Sequence, residues 1–145
     1  MTTYAITEDL LQVDPTINDY GVIDFDVELT RSSNEINRLL KVRWFLNWAQ
    51  HQANPGEFSA AKLDPTQWTQ AVVYHALGYH ICPKLSKFQS QGQEDNFQVK
   101  MDYYQGRFEH EMELCLREGV RYDADSSGTI TVDETRSVNQ LRLIR

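Results

Sequence analysis

Apolar residues recur at helical spacing in three long stretches of the chain, and each stretch predicts a helix. The first helix of this kind is predicted over 26–53, the second begins at Asp64, and the third covers 94–118. Each has one apolar face, which a helix buries against its neighbours. The faces are, in chain order, Ile36, Leu40, Phe45 and Trp48, widened by Leu39, Trp44 and Leu46; Trp68, Ala71, Val72, His75, Tyr79 and Cys82; and Phe97, Met101, Tyr104, Phe108, Met112 and Cys115.

Residues with strong local preferences mark the ends of the helices. A short first helix is predicted over 8–13, with Thr7 as its cap. The pair Asp14–Pro15 stops it, because the residue before a proline avoids the helical region. The later helices are predicted to end at turn or cap residues, namely Asn54-Pro55-Gly56, Pro83 and Gly119, and the segment Lys84–Gln93 is predicted as a polar loop.

The helix that begins at Asp64 has the clearest start signal in the chain. Asp64 is a good cap, and Pro65 suits the first helical position. Gln67 completes a capping-box pattern, in which its side chain would reach back to the backbone of the cap residue. Leu63 and Trp68 are placed as a hydrophobic staple.

These elements predict an all-α fold. Three to four helices and no convincing long strand indicate an antiparallel helical bundle over residues 1–122. Residues 123–145 lose the helical period and are predicted as an extended C-terminal loop and tail, with Thr129–Val132 as a short extended piece. A chain of 145 residues is long enough to bury a core of its own.

Composition narrows the classes of function. Hydrophobic residues make up 41% and charged residues 24%, which is ordinary for a globular protein. The net charge of −7 disfavours nucleic-acid binding by the chain as a whole. No signal peptide and no apolar run of about 18 residues is apparent, so we expect a protein made and used in a cytoplasm, without membrane partners. Cys82 and Cys115 lie in apolar segments and are expected to be buried thiols.

One segment has the spacing of a metal site. Asp123–Glu134 matches the twelve-residue EF-hand loop, with Gly128 at the sharp turn. An oxygen cage of this kind suits calcium, which would have a structural role here. The alternative is a turn whose side-chain oxygens cap its own backbone without a metal. The candidate ligands are Asp123, Asp125, Ser127, Thr129 through its backbone carbonyl, and Glu134.

No catalytic motif is apparent, and we expect the protein not to be an enzyme. His75 and His80 are five residues apart and are not expected to share a helix face as a zinc pair would. The carboxylates of the last helix are dense enough to be a solvated face, and they are Glu109, Glu111, Glu113 and Glu118. No cofactor is predicted apart from the calcium considered for the loop.

The last ten residues, Arg136–Arg145, are basic and apolar on an otherwise acidic chain. No acidic residue follows Glu134. Burying an apolar side chain gains about 1.5–3 kcal/mol, so such a tail is expected either to fold back on the bundle or to dock into a partner. The candidate docking residues are Arg136, Val138, Leu141, Arg142, Leu143, Ile144 and Arg145.

The order of the segments resembles the head–tail connector proteins of tailed bacteriophages, also called adaptor or head completion proteins. The resemblance covers most of the chain and is carried by Tyr20–Phe25, Arg38–Phe45, Leu63–His75 and Tyr103–Asp125, followed by a tail that ends in arginine. None of these stretches is a catalytic signature.

The resemblance implies a helical subunit in the neck of the virion, assembled in the host cytoplasm. Its implied partners are the portal protein, copies of itself in a dodecameric ring, and a further neck or tail protein below. DNA would pass through the lumen without specific binding, which an acidic ring favours. The tail Arg136–Arg145 would then face the portal, and Asp123–Glu134 would be the elbow before it. The competing hypotheses are a small calcium-binding module and, more weakly, an enzyme with an unrecognised site.

Overall fold

A computed structural model of the chain describes residues 3–15, 17, 24–52, 56–83 and 91–123, with the side chains of the last helix described from residue 98. The predicted all-α fold is confirmed for this part of the chain, which contains four main helices. Helix α1 is Thr7–Val13. Helix α2 is Asp26–Leu40, continued by a π-helical turn, Lys41–Phe45, and by Leu46–Ala49. Helix α3 is Pro65–Ala76, continued by a second π-helical turn, Leu77–Ile81. Helix α4 is Gln91–Glu118.

The start of α1 differs from the prediction. Thr7 is the first helical residue and not the cap, which is Ile6. The backbone N–H of Ile6 donates to a carboxylate oxygen of Asp9 at 3.0 Å, so the acid in the first turn caps the helix in place of a threonine hydroxyl. The Thr7 hydroxyl instead donates to Asp26 at 3.1 Å and ties α1 to α2. The predicted stop at Asp14 is confirmed.

The apolar face of α2 contains a π-helical turn. Leu40 and Phe45 are five residues apart, and both are buried because a turn with i to i+5 hydrogen bonds returns to the same side after that interval. The same turn also buries Trp44 and leaves Leu46 exposed, so the prediction that Leu46 belongs to the core is wrong. The helix ends at Ala49, earlier than the predicted residue 53.

The start of α3 confirms part of its prediction. Asp64 is the cap, since its carboxylate accepts from the backbone N–H of Thr66 at 3.1 Å, and Pro65 is the first helical residue. The predicted capping box is wrong, because the side chain of Gln67 is turned toward the end of α4. The predicted face of α3 is buried except for Tyr79.

Helix α4 begins at Gln91, inside the segment predicted as a loop, and its predicted end is confirmed. Gly119 follows with φ of 108°, and its N–H donates to the carbonyl of Cys115 at 3.1 Å. A glycine adopts this left-handed conformation without a steric penalty, which is why it ends helices so often. The predicted apolar face is buried at Tyr104, Phe108, Met112 and Cys115.

Helix α3 packs antiparallel to α4. Its first turn contacts the C-terminal end of α4, where the Cys115 thiol lies 3.5 Å from the carbonyl of Gln67, whereas its last turn contacts the middle of α4. There the carbonyl of Gly78 accepts from the Gln105 amide at 3.1 Å. A Cβ at Gly78 would lie 3.0 Å from the backbone nitrogen of Gln105, so glycine permits this close helix crossing.

Helix α2 also packs antiparallel to α3. The hydroxyl of Ser32 lies 2.9 Å from Nδ1 of His75, near the C-terminal end of α3. Further along α2, the side chain of Asn37 bonds to Tyr4, whose carbonyl accepts from Thr69 near the start of α3. Helix α3 is therefore the central element between α2 and α4. None of the described helices combines the length and apolar character that crossing a membrane requires.

Candidate functional site

Most of the residues predicted to contact a partner or a metal lie outside the described part of the chain. They are the docking candidates Arg136, Val138, Leu141, Arg142, Leu143, Ile144 and Arg145, and the metal-ligand candidates Asp125, Ser127, Thr129 and Glu134. The structure does describe Asp123, the first residue of the EF-hand-like loop, and the four residues from Gly119 that lead into it. These residues show how the C-terminal segment is attached to the bundle.

The segment 121–123 pairs with the loop that precedes α3. The backbone N–H of Asp123 donates to the carbonyl of Lys62 at 2.8 Å, and the N–H of Asp64 donates to the carbonyl of Arg121 at 3.2 Å. These bonds form an isolated antiparallel β-bridge between Leu63 and Tyr122. The direction of the chain at Asp123 is thereby fixed relative to α3.

The side-chain amide of Gln67 binds the chain on both sides of Val120. Its Nε2 donates to the carbonyl of Gly119 at 2.9 Å, and its Oε1 accepts from the N–H of Arg121 at 3.0 Å. The bond to Gly119 is buried and the bond from Arg121 is partly buried, so Gln67 satisfies two backbone groups where water has little access. A glutamine can serve both because its amide carries one acceptor oxygen and two donor hydrogens.

Tyr122 is fully buried in an aromatic cluster, formed with Trp44, Phe45, Trp48 and Phe58. Its ring centroid lies 5.2 Å from that of Trp44 and 5.3 Å from that of Trp48, both at edge-to-face angles that aromatic pairs prefer. The hydroxyl of Tyr122 accepts from the backbone N–H of Ser59 at 3.1 Å. Burial raises the pKa of Tyr122, so the phenol stays neutral.

An ion-pair network covers the solvent side of this segment. The guanidinium of Arg121 lies 3.3 Å from a carboxylate oxygen of Asp64 and 2.9 Å from one of Glu118. Burial alone would raise the pKa of Asp64, but hydrogen bonds from Thr66 and the neighbouring Arg121 outweigh it and lower the pKa below its ordinary value. Asp64 therefore stays ionised while it caps α3 and pairs with Arg121.

We call this set of contacts the C-terminal anchor: residues 119–123, the residues 62–67 that bind their backbone, and the aromatic cluster around Tyr122. It combines backbone pairing, a buried amide and a buried aromatic ring within five consecutive residues of the chain. An arrangement of this kind holds a segment in a fixed direction. Its hydrogen bonds and packing are made to the chain itself.

The histidines of α3 form a second polar cluster, and here the prediction was wrong. The ring centroids of His75 and His80 are 5.4 Å apart, because the π-helical turn places residues five apart on one side of the helix. The ring of His75 also packs edge-on against Phe108 at 4.8 Å. Burial, and secondarily the nearby His80, lowers the pKa of His75 to about 4, so this ring is neutral at pH 7.

The described residues do not extend this pair into a metal centre. No group of three or more histidine, cysteine or acidic side chains within them is arranged to hold a metal ion. Cys82 and Cys115 are buried free thiols, as predicted. Burial raises the pKa of Cys82 to about 11, and burial together with Glu111 raises the pKa of Cys115 to about 12, so both remain protonated thiols at neutral pH.

The predicted solvated face of α4 is confirmed for the exposed residues Glu109, Glu113 and Glu118. Glu109 pairs with Arg43 of α2 at 3.4 Å. Exposed ion pairs of this kind stabilise the folded state by at most about 1 kcal/mol. These carboxylates therefore form a solvated surface and contribute little to the stability of the fold.

Comparisons with protein-family models, with curated proteins and with solved structures find no match to this chain. The residues that build the anchor are therefore identified from the structure alone. Sequence reasoning found Asp64 and Gly119 through their local cap patterns, but assigned Gln67 to a local role. Its partners lie more than fifty residues away along the chain, and no local pattern indicates them.

We predict that Gln67→Leu lowers the free energy of unfolding by about 2–4 kcal/mol, because it strands the carbonyl of Gly119 and the N–H of Arg121, and a buried unsatisfied group costs about 1–3 kcal/mol. Chemical denaturation measures the loss, and hydrogen exchange should accelerate at residues 119–123. Gln70→Leu, on the exposed side of the same helix, is the matched control and should change stability little. Equal effects of the two substitutions would contradict the bridging role of Gln67.

We predict that His75 makes the fold sensitive to acid. Its folded pKa of about 4 lies below the ordinary value of 6.5, so the unfolded chain binds the extra proton first. The stability from the neutral ring is present above pH 6.5 and is lost as the pH falls toward 4. Between about pH 7.5 and about pH 5 the loss should be about 2 kcal/mol.

Denaturant titrations at several pH values test this dependence. His75→Gln should flatten the curve relative to the unsubstituted protein. A variant without His75 that loses as much stability in acid as the unsubstituted chain would show that other groups cause the loss.

Proposed function

We propose that the chain is a structural subunit of the neck of a tailed bacteriophage, which docks on the portal and joins the DNA-filled head to the tail. In this proposal copies of the chain form a dodecameric ring in the virion neck, and a further neck or tail protein binds below. DNA passes through the lumen without specific contacts. The proposal assigns the chain no catalytic activity and no cofactor.

The observation that carries the proposal is the C-terminal anchor. A buried glutamine and a buried tyrosine hold residues 119–123 in place, immediately before the rest of the EF-hand-like loop and the basic, apolar tail. A segment that must reach one defined groove on a partner benefits from a fixed starting direction, because preorganisation lowers the entropy lost on binding.

The distribution of charge supports the same reading. All 21 acidic residues of the chain precede Arg136, and three arginines follow Glu134. The body of the protein is therefore acidic, which suits the wall of a channel through which DNA moves, because like charges do not hold the duplex. The basic, apolar tail suits a groove of opposite charge on the portal, where charge complementarity accelerates docking and fixes the register.

The test is removal of the tail. We predict that a chain lacking 136–145 keeps its helicity and melting temperature, because the described core and anchor lie upstream, but no longer binds purified portal in co-sedimentation or by cryo-electron microscopy. A matched control replaces Arg136, Arg142 and Arg145 with lysine, which preserves the charge and should retain most of the binding. Normal portal binding by the truncated chain would contradict the proposal.

The alternative function is that of a small calcium-binding module built on the Asp123–Glu134 loop. What favours it, besides the spacing, is that Asp123 at the first ligand position has its backbone held by Lys62, which would preorganise the entry to the loop. In that case calcium would contribute stability to the folded state.

Calorimetric titration separates the two functions. Under the neck proposal we predict no heat on addition of calcium and no change in melting temperature on addition of a chelator. Asp123→Ala and Glu134→Ala should then melt alike with and without calcium. A calcium-dependent rise in melting temperature that both substitutions remove would establish the calcium module instead.

A further inference from the structure

One exposed side of α2 is both apolar and basic. Val27 and Val42 are each 69% exposed, and Leu46 follows on the same side after the π-helical turn. Exposed basic residues accompany them, namely Arg31, Arg38 and Lys41, of which Arg38 also pairs with Glu35 of the same helix. We call this side of α2, from Val27 to Leu46, the basic face. Part of it is concave, since a shallow depression of about 390 Å³ is lined by Asp26, Val27, Thr30, Arg31 and Asn34.

One exposed side of α4 has the complementary character. Val99 is 67% exposed and Tyr103 is 59% exposed, and Leu114 lies further along the same side. Exposed carboxylates flank these side chains, namely Asp102, Glu109 and Glu113. Within the chain, Glu109 also pairs with Arg43 and Glu113 with Arg117, in exposed ion pairs that contribute little to stability. We call this side of α4, from Val99 to Leu114, the acidic face. Single exposed apolar residues are common, but each of these faces carries three of them on one side of one helix.

Gly106 lies at the middle of the acidic face. A Cβ there would meet no atom within 4 Å, so packing within the chain does not require a glycine at this position. A glycine inside an exposed helix costs about 1 kcal/mol relative to alanine. A second protein surface that approaches the helix backbone closely would benefit from it, and Tyr103 projects one turn away as a large side chain.

The two faces also match in length. The spacing from Val27 to Val42 on α2 equals the spacing from Val99 to Leu114 on α4. With the helices side by side in that register, apolar residues meet at both ends. Tyr103 then lies beside the depression near Arg31, where a guanidinium and an aromatic face attract each other.

We propose that the basic face of one copy of this chain packs against the acidic face of a second copy. Both faces belong to the same chain, are apolar and carry opposite charge, so one contact between copies covers both kinds of surface. Because the two faces differ, the contact is heterologous, and a pair of copies still presents one free basic face and one free acidic face to further copies.

Charge decides between a second copy and other occupants of the basic face. A nucleic acid would need more cations than the three on this face, and it would be repelled by a chain of net charge −7. An acidic protein surface of matching length fits better, and α4 supplies one. The inference rests on the proposed function in that a neck ring requires such a contact, but it concerns surfaces remote in sequence from the portal-facing tail.

Charge reversal on each face tests the contact. One variant carries Arg31→Glu and Arg38→Glu, and a second carries Asp102→Lys and Glu113→Lys. All four residues are exposed, and the surface ion pairs that Arg38 and Glu113 make are each worth at most about 1 kcal/mol, so both variants should fold, as circular dichroism can verify. In sedimentation velocity the unsubstituted chain should associate with increasing concentration. Each variant alone should associate at least about tenfold more weakly, since close like charges oppose association.

An equal mixture of the two variants is the decisive sample. Every contact between unlike copies then pairs an acidic surface with a basic one, so association should return to within about threefold of the unsubstituted chain. A single chain that carries all four substitutions should also recover. Gly106→Trp should block association, whereas Gly106→Ala, the small control, should preserve it.

Several results would overturn the inference. They are a chain that stays monomeric at every concentration, a charge-reversed variant that associates normally, or a mixture that fails to recover. The chain lacking 136–145 separates this inference from the portal proposal. It should associate with itself like the full chain but no longer bind the portal. If its self-association is lost as well, the tail and not the two faces joins the copies.

Discussion

The buried amide of Gln67 is the interaction on which the C-terminal half of the structure depends. Where the chain leaves α4 at Gly119 it must turn back across the first turn of α3, and its backbone polar groups enter the interior there. Such groups are stable only when they have hydrogen-bond partners. Gln67 supplies one donor and one acceptor from a single side chain. With the turn satisfied, Tyr122 can insert into the aromatic cluster and fix the direction of the chain at Asp123.

The two π-helical turns make that arrangement possible. Each adds one residue to a helical turn, which changes the side on which the following residues lie. In α2 the extra residue buries both Trp44 and Phe45, so two neighbouring residues contribute rings to the cluster around Tyr122. In α3 it brings His80 beside His75 and presents Gly78 to α4. The anchor therefore depends on the π-helical turn in α2, and the close crossing of α3 and α4 depends on the π-helical turn in α3.

The proposed functions divide the surface of the molecule between two tasks. The anchor directs the C-terminal segment toward one partner, while the outer sides of α2 and α4 remain exposed and complementary in charge. Helix α3 lies between them and contributes most of its residues to the core. A central helix between two outer helices that keep exposed apolar residues suits a subunit that contacts copies of itself on two flanks. Both tasks are proposals that rest on geometry and charge.

The sequence by itself determined the helices, the cap at Asp64, the glycine that ends α4, and most of the buried faces, because helical periodicity and cap chemistry involve residues within one or two turns. The docking role of the tail Arg136–Arg145 stays a prediction, made from the composition of the tail and from the resemblance to head–tail connector proteins. Only the tertiary structure decided the role of Gln67, the pairing of Thr7 with Asp26, the exposure of Leu46 and the approach of the two histidines. The physical reason is that a buried polar group takes whichever partner the fold brings to it, and that a π-helical turn shifts the faces of a helix without a local signal of its own.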